Sequence, residues 1–403
     1  MKILVAWDQP EQLDLLQVYL GLGDHDVTYV TTGEEMLAVT ESRPWDILLM
    51  PITLPDVNRG FEIFEQFRRS QPDTPVVGVC EPQEVYRIVR FMTGGMSAYM
   101  IRDSNSDYLF MLVNVLESTV EGARAARVQK VVERLREEID AVRKLQSSMI
   151  PQKLDAPPGY EMCARYESSQ IRVVGGRPVT MAGGDYYDVF NLDDKNIVLL
   201  VGDASGHGMK AAMSIMVMHT LVRLIRTQRY KDTAAFVAEI NNQLAEISVV
   251  NDEGGFITLL YAILRLDTQD IQWTSAGHPL PLLQNLDTGE IRPMAEGDPS
   301  GLPLAVVPGV EYETITTPLP PHCRVLLYTD GLAEAFPEGS EEAVLQFGEQ
   351  GIIRTLHETA HLSIADSMER LFHDSNEFTQ GSGRHDDTSV VLIERLKVAE
   401  TQP

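Results

Sequence analysis

The sequence predicts two folded domains of different class: a doubly wound α/β domain on a five-stranded parallel sheet, then, beyond a helical linker, an α+β domain. Three observations lead there. Residues 2–118 alternate short apolar runs with amphipathic stretches five times, the pattern of a parallel sheet covered on both faces. Residues 119–150 carry apolar side chains at spacings of four and three, a helical seam. Residues 160–396 pair strand-like runs and separate them with long amphipathic helices, an α+β texture.

At 403 residues the chain exceeds one ordinary core, so more than one domain is expected. Its apolar fraction of 44% and charged fraction of 23% are those of a globular protein. Lys plus Arg number 33 and Asp plus Glu 59, a net charge of −26. Such a chain repels nucleic-acid phosphate and anionic lipid, which argues against both as partners. Cys80, Cys163 and Cys323 are far apart and odd in number, which fits a reducing cytoplasm rather than a disulfide scaffold. The opening MKILVAWDQPEQ reads as a strand and a helix start, not a signal peptide. The longest apolar candidate, MSIMVMHTLVRLI, stops short of membrane-spanning length.

In the first domain KILVA (2–6), VTYV (27–30), DILLM (46–50), PVVGV (75–79) and SAYMI (97–101) are the expected strands. GFEIFEQFRRS, with Phe61, Ile63, Phe64 and Phe67, is one of the helices between them. Their order and spacing resemble a response-regulator receiver domain over residues 1–118. The chemistry departs from that pattern. Where a working receiver has an acid pair, this chain has Trp7–Asp8; at the phosphoacceptor position it has Pro51. Cys80 stands at the hydroxyl position and Arg102 at the lysine position. Proline offers no carboxylate to phosphorylate, so there is no phosphoacceptor and the domain reads as a pseudo-receiver that binds a regulator or dimerises. Asp8 and Asp56 remain as isolated loop acids.

In the linker, residues 119–150, Val128, Val132, Leu135, Ile139 and Val142 form a seam of about two heptads, which suits a coiled-coil homodimer or a single amphipathic helix packed on a neighbour. Pro151 stops the helix and PPGY (157–160) leads into the last domain, 151–397. There MKAAMSIMVMHTLVRLIRT (209–227) and TAAFVAEINNQLAEI (233–247) read as helices, and residues 260–277 as a hairpin turning at DTQD.

Four acidic sites fall at strand ends. Asp185 opens the strand YYDVF; the chain turns at LDDKN (192–196) and returns as IVLLVG, ending at Asp203. With the turn near residue 194, positions 185 and 203 come out opposite one another in an antiparallel hairpin. Asp330 ends RVLLYT, and Asp386–Asp387 open TSVVLIE. If the strands ending at 203 and 330 run one way and the strand from 386 the other, the acids meet at one edge. Carboxylates gathered so raise one another's pKa unless a cation sits among them. Oxygen ligands without a His/Cys set favour magnesium or manganese over zinc.

GGDYYD (183–188), GDASGHG (202–208), SAGHP (275–279), YTDGLAEA (328–335) and HDDTSVV (385–391) resemble the motif series of metal-dependent PPM phosphatases. The branch they resemble is the bacterial one of sporulation and stress-response (SpoIIE/RsbU-type) phosphatases. The resemblance covers residues 145–396 and includes the lead-in KLQSSMIPQ. It implies a β-sandwich flanked by helices and a centre of two divalent metal ions, manganese or magnesium. It implies that Asp203 bridges both, that the Ala204 carbonyl is a further ligand, that Asp330 and Asp386 each bind one, and that Asp185 acts through water. Asp188 and Asp387 are then supports.

The activity so implied is hydrolysis of phosphoserine or phosphothreonine in a protein, by metal-activated water attacking phosphorus. The substrate implied for this branch is a phosphorylated anti-anti-sigma (STAS-domain) protein, with the pseudo-receiver in control. His207 and His278 are open either as proton donors to the leaving oxygen or as structural residues. Two other readings stand beside this one. A silent adaptor would bind a signalling partner through either domain, but the second domain has kept the acids that the first has lost. Another two-metal enzyme, such as a nuclease, fits poorly with the charge.

Overall fold

The structure, a computed structural model, describes residues 1–397 except 22, 104–105, 152, 172–178, 181, 207, 227–229, 231, 248–249, 251–253, 338–344 and 381–384. The chain divides into two compact units, Met1–Leu135 and Arg136–Pro403.

The first unit carries strands β1 (Lys2–Ala6), β2 (Asp26–Val30), β3 (Ile47–Pro51), β4 (Val76–Cys80) and β5 (Ala98–Ile101). All run parallel in the order β2-β1-β3-β4-β5. β3 and β4 are buried along their whole length, which is why they read as unbroken apolar runs rather than alternating ones. Alternate residues serve opposite faces. Leu4 and Leu48 join Met36, Ile63, Phe64, Phe67 and Phe91 from helices α2 (Gly33–Thr40), α3 (Val57–Ser70) and α4 (Ile88–Thr93). Ile3 and Ile47 join Leu16, Leu20, Leu112 and Leu116 from α1 (Leu13–Leu20) and α5 (Leu109–Met149). Asp56, one of the leftover acids, is the N-cap of α3, accepting from the Asn58 and Arg59 amides at 2.9 and 3.0 Å.

Helix α5 begins at Leu109, ten residues before the expected linker. Its first turns bury Leu109, Leu112, Leu116 and Val120 in this unit, and the helix runs on through Gly122, with no Pro before the seam beyond. Val128, Val132 and Leu135 are exposed.

The second unit is a sandwich of two five-stranded antiparallel sheets. Its strands are β6 (Tyr160–Glu167), β7 (Gln170–Ile171), β8 (Val179–Thr180), β9 (Asp185–Asp193), β10 (Asn196–Ala204), β11 (Ile257–Arg265), β12 (Asp270–Ala276), β13 (Leu282–Asn285), β14 (Ile291–Pro293), β15 (Ile315–Pro318), β16 (Cys323–Tyr328) and β17 (Thr388–Arg395). One sheet runs β15-β12-β11-β10-β9 and the other β14-β13-β16-β17-β6, with β7 and β8 a separate pair. Val198, Leu200, Tyr261, Ile263 and Trp273 of the first sheet share a buried core with Val325, Leu327 and Val391 of the second. Helices α6 (Met209–Ile225) and α7 (Thr233–Ala245) add Ile215, Met218, Phe236 and Ile240 to that core. On the second sheet, α9 (Gly348–Glu358) and α10 (Ile364–Phe378), preceded by the single turn α8 (Asp330–Ala333), bury Ile352, Leu356, Leu371 and Phe372 against Leu326 and Leu392. Among the described residues, no helix is long and apolar enough to cross a membrane.

Candidate functional site

Register brings the first two acids together. β9 and β10 pair antiparallel with Asp203 opposite Asp185, as the hairpin spacing predicts. The ladder continues one step further, the Ala204 amide donating to the Gly184 carbonyl at 2.9 Å. Asp185 is 1% exposed, and Asp203 is half-buried.

The second sheet supplies the rest. Asp330 opens α8 just past β16, and Asp386 lies just before β17. β16 and β17 pair antiparallel, Tyr328 opposite Val390, so the end of one strand and the start of the other share an edge. Thr329 joins the two sheets there. Its hydroxyl donates to Asp185 Oδ2 at 2.6 Å and accepts from the Ser389 amide at 2.8 Å.

The glycines of these motifs mark close approaches. A Cβ on Gly183 would come within 2.6 Å of the Asp387 carboxylate, and one on Gly184 within 2.8 Å of the Ala204 carbonyl oxygen. A Cβ on Gly331 would overlap the Asp387 carbonyl oxygen. Asp387 is itself buried and accepts from the Ser169 and Gly184 amides at 2.8 and 2.6 Å, a bridge between segments. Asp188 accepts from the Tyr186 hydroxyl at 3.0 Å and pairs with Arg223 at 3.2 Å, while Tyr186 also meets His219 Nδ1 at 2.7 Å. That network ties β9 to α6.

The motif reading assigns no role to two contributors, although Gln146 lies within its lead-in KLQSSMIPQ. Gln146, near the end of α5 and 2% exposed, accepts from the Gly183 amide at 2.9 Å and donates to the Gly183 and Asp185 carbonyls at 2.9 and 3.2 Å. Its signal is a buried amide seven residues beyond Ile139, where the seam calls for an apolar side chain. Thr329 carries no signal beyond its place before Asp330.

Burial raises all four acids, and for Asp185, Asp203 and Asp386 mutual repulsion adds to it. Burial, then the charge of Asp387, holds the Asp185 carboxyl well above the usual range. Burial and the charges of Asp185, Asp330 and Asp386 push Asp203 up to about 11. Burial raises Asp330, and burial, with Asp387 and Asp330 nearby, lifts Asp386 to about 7. Among the described residues no cation figures among the groups acting on these four. Asp330 Oδ1 is buried with no hydrogen-bond partner. An all-oxygen set with an orphaned carboxylate oxygen and unrelieved repulsion fits a hard divalent cation. Among the described residues no three His, Cys, Asp or Glu side chains close into a cage. Magnesium tolerates that, since it takes one or two carboxylates and keeps much of its water.

His278 is a buried imidazole held by Thr258 and Ser275. It is 2% exposed, its Nδ1 lies 2.9 Å from the Thr258 hydroxyl, and burial lowers it to about 3, so it is neutral at physiological pH. Ser275 Oγ holds both its amide (3.0 Å) and its carbonyl (2.9 Å), which makes SAGHP a structural turn. His207 lies outside the described residues.

In the first unit the receiver-like pocket is filled from within. Arg102 Nη1 lies 2.8 Å from Asp8, its Nη2 lies 3.4 Å from Glu81, and the guanidinium sits 5.7 Å from the Trp7 ring centroid. Pro51 ends β3. Burial pushes the Cys80 thiol up to about 11.

The profile described as "Stage II sporulation protein E (SpoIIE)" matches residues 193–396, and that of the response regulator receiver domain matches residues 3–114. Phosphoserine phosphatase RsbU of Bacillus subtilis is 25% identical over 219 residues, 54% of this chain and 61% of that protein. Phosphoserine phosphatase RsbP of the same organism is 26% identical over 152 residues, 38% of this chain and 36% of that protein. The chain thus spans less than two thirds of either relative. Among solved structures, the SiaA-PP2C domain of Pseudomonas aeruginosa aligns with a TM-score of 0.53 at 18% identity, over 66% of this chain and 98% of that one, a likeness of fold. The family profile covers just over half of the chain, including Asp203, Asp330 and Asp386, and this protein belongs to the SpoIIE family.

Proposed function

We propose that the chain is a metal-dependent phosphoserine/phosphothreonine protein phosphatase. The observation that carries this reading is the set of four carboxylates, drawn from both sheets and lacking any cationic partner among the described residues. Asp203, with the Ala204 carbonyl, Asp330 and Asp386 would hold two ions, manganese or magnesium, and Asp185 would act through water. When bound, such ions make water a better nucleophile and offset charge on the phosphoryl oxygens. The protein's share is positional. Thr329 orients Asp185, Gln146 fixes the backbone on either side of Gly184, and Asp387 anchors the same turn. Preset donors and carboxylates of this kind cost no reorganisation during reaction.

The finer reading is that the substrate is a phosphorylated anti-anti-sigma (STAS) regulator and that the protein is cytoplasmic. We divide it into a pseudo-receiver (1–118), a linker (119–150) and a phosphatase domain (151–397), with the first controlling the last. The exposed seam of Val128, Val132 and Leu135 supports a homodimer through α5.

The test is phosphate release from a phosphoserine protein with manganese, comparing the chain with Asp330→Asn. Manganese-dependent release that disappears in Asp330→Asn is the expected result. Manganese binding without release from a phosphorylated STAS protein would favour the adaptor instead.

A further inference from the structure

Helices α1 and α5 lie side by side in the first unit. The Tyr108 hydroxyl donates to Gln12 Oε1 at 3.4 Å just before the two helices begin. Further along, the Tyr19 and Phe110 rings meet edge to face with centroids 5.5 Å apart. The inner faces are spent on the core, through Leu16, Leu20, Leu112 and Leu116. The outer faces are apolar as well. Leu15 is 45% exposed, Val18 63% and Phe110 70%. A helix that covers only its own core turns polar residues outward, so an apolar ridge here marks a surface made for contact.

Charge selects the occupant. Glu11, Asp14, Asp107, Glu117 and Glu121 are exposed on these same two segments. The chain has no Lys or Arg between Lys2 and Arg43, or between Arg102 and Arg124, the stretches that build this face. The arginines at the ends of those stretches are engaged, Arg43 with Asp26 at 2.6 Å, Arg102 with Asp8 at 2.8 Å and Arg124 with Asp46 at 3.0 Å. Among the described residues none of the five acids is ion-paired to a Lys or Arg, and Glu117 has His25 at 3.8 Å. A second copy of the chain would set these acids against their own kind, which like-charge repulsion opposes. Nucleic acid and anionic lipid are refused on the same ground.

We propose that α1 and α5 form the docking surface for an amphipathic helix of a partner protein, its apolar face seated on Leu15, Val18 and Phe110 and its Lys/Arg flanks set against the acids. Two adjacent helices leave between them a groove into which a third packs. Because α5 continues beyond this unit into the linker, the occupant bears on the helix that leaves it. The surface deepens the reading that the first unit controls the last, while binding to it does not depend on the chemistry of the second.

The experiment uses the full chain and two fluorescein-labelled helical peptides, each with one leucine face, the first flanked by lysines and the second by glutamates. Fluorescence anisotropy at low salt should show the lysine peptide binding about tenfold more tightly than the glutamate peptide. Phe110→Ala should weaken the lysine peptide about tenfold, and Asp14→Lys about threefold. Glu358→Lys makes the same change of charge at an exposed position at the end of α9, and should leave binding unchanged. Equal affinity for the two peptides would overturn the proposal, as would a Phe110→Ala variant that binds like the native chain. A loss in Glu358→Lys equal to that in Asp14→Lys would reduce the effect to bulk charge and overturn it too. A native dimer that Phe110→Ala dissociates in sedimentation would give the face to a second copy instead. Phosphate release with and without the lysine peptide tests control separately: binding that leaves release unchanged removes the regulatory reading and leaves the docking surface standing.

Discussion

The Thr329 hydroxyl donates a 2.6 Å hydrogen bond to the Asp185 carboxylate, joining the end of β16 in one sheet to the start of β9 in the other. A buried carboxylate deprived of such a donor loses about 1–3 kcal/mol. Thr329→Val should therefore destabilise the second unit by about that amount and lower manganese-dependent phosphate release, while Thr329→Ser should preserve both. Urea unfolding and phosphate release, run on the same preparations, check this.

Repulsion among the acids predicts an inversion. Asp203 is raised to about 11 by burial and by Asp185, Asp330 and Asp386, so its charged form opposes folding at neutral pH when no metal is present. Asp203→Asn should raise the thermal midpoint in EDTA and abolish the rise that manganese gives the native chain. A lower midpoint in EDTA would show that the carboxylates are not in conflict.

Gly331 tests the close approach at the Asp-Gly motif. Its φ is not left-handed, so alanine meets no backbone penalty; the obstacle is the Asp387 carbonyl, which a Cβ would overlap. Gly331→Ala should cost about 1–3 kcal/mol, as overpacking does, and should reduce phosphate release by displacing Asp330 from Asp387. Calorimetry with an activity measurement decides it.

His278 predicts a pH dependence. Burial holds it near 3, below its ordinary value of 6.5, so the unfolded chain binds a proton that the folded chain refuses. That contribution to stability is complete above about pH 6.5 and is lost as pH falls toward 3, at no more than about 1.4 kcal/mol per pH unit. His278→Asn should be less stable at pH 7, having lost its imidazole bond to Thr258, yet fall less steeply with acid. Denaturant melts at pH 7, 6 and 5 compare the slopes.

The pseudo-receiver predicts silence toward phosphodonors. With Pro51 at the acceptor position and Arg102 bonded to Asp8, acetyl phosphate with magnesium should leave the intact mass unchanged. Arg102→Ala should destabilise the first unit by about 3 kcal/mol, the lower end for breaking a buried pair, because Asp8 keeps some solvent contact.

Much of this site is legible in the sequence because it follows from strand arithmetic. A hairpin turning near residue 194 puts 185 opposite 203, and strand polarity brings 330 and 386 to one edge. The remainder depends on folding through space. Strand position does not separate Asp386 from Asp387, and only the resemblance implies that Asp387 is a support; the Ser169 and Gly184 amides, remote in the chain, hold Asp387 as a bridge. Gln146 reads as a flaw in the α5 seam until the Gly183 turn is packed on it. The start of α5 at Leu109 is hidden because its buried turns run into the exposed ones as one helix, with Gly122 carried inside it.

Pro51 has a consequence in time. A receiver that holds an aspartyl phosphate keeps a record of its stimulus for as long as that bond survives. At position 51 this domain offers a proline and no carboxylate on which to write one. A signal carried by binding to such a domain would end when the visitor departs, so its persistence would be set by a dissociation rate rather than a chemical half-life.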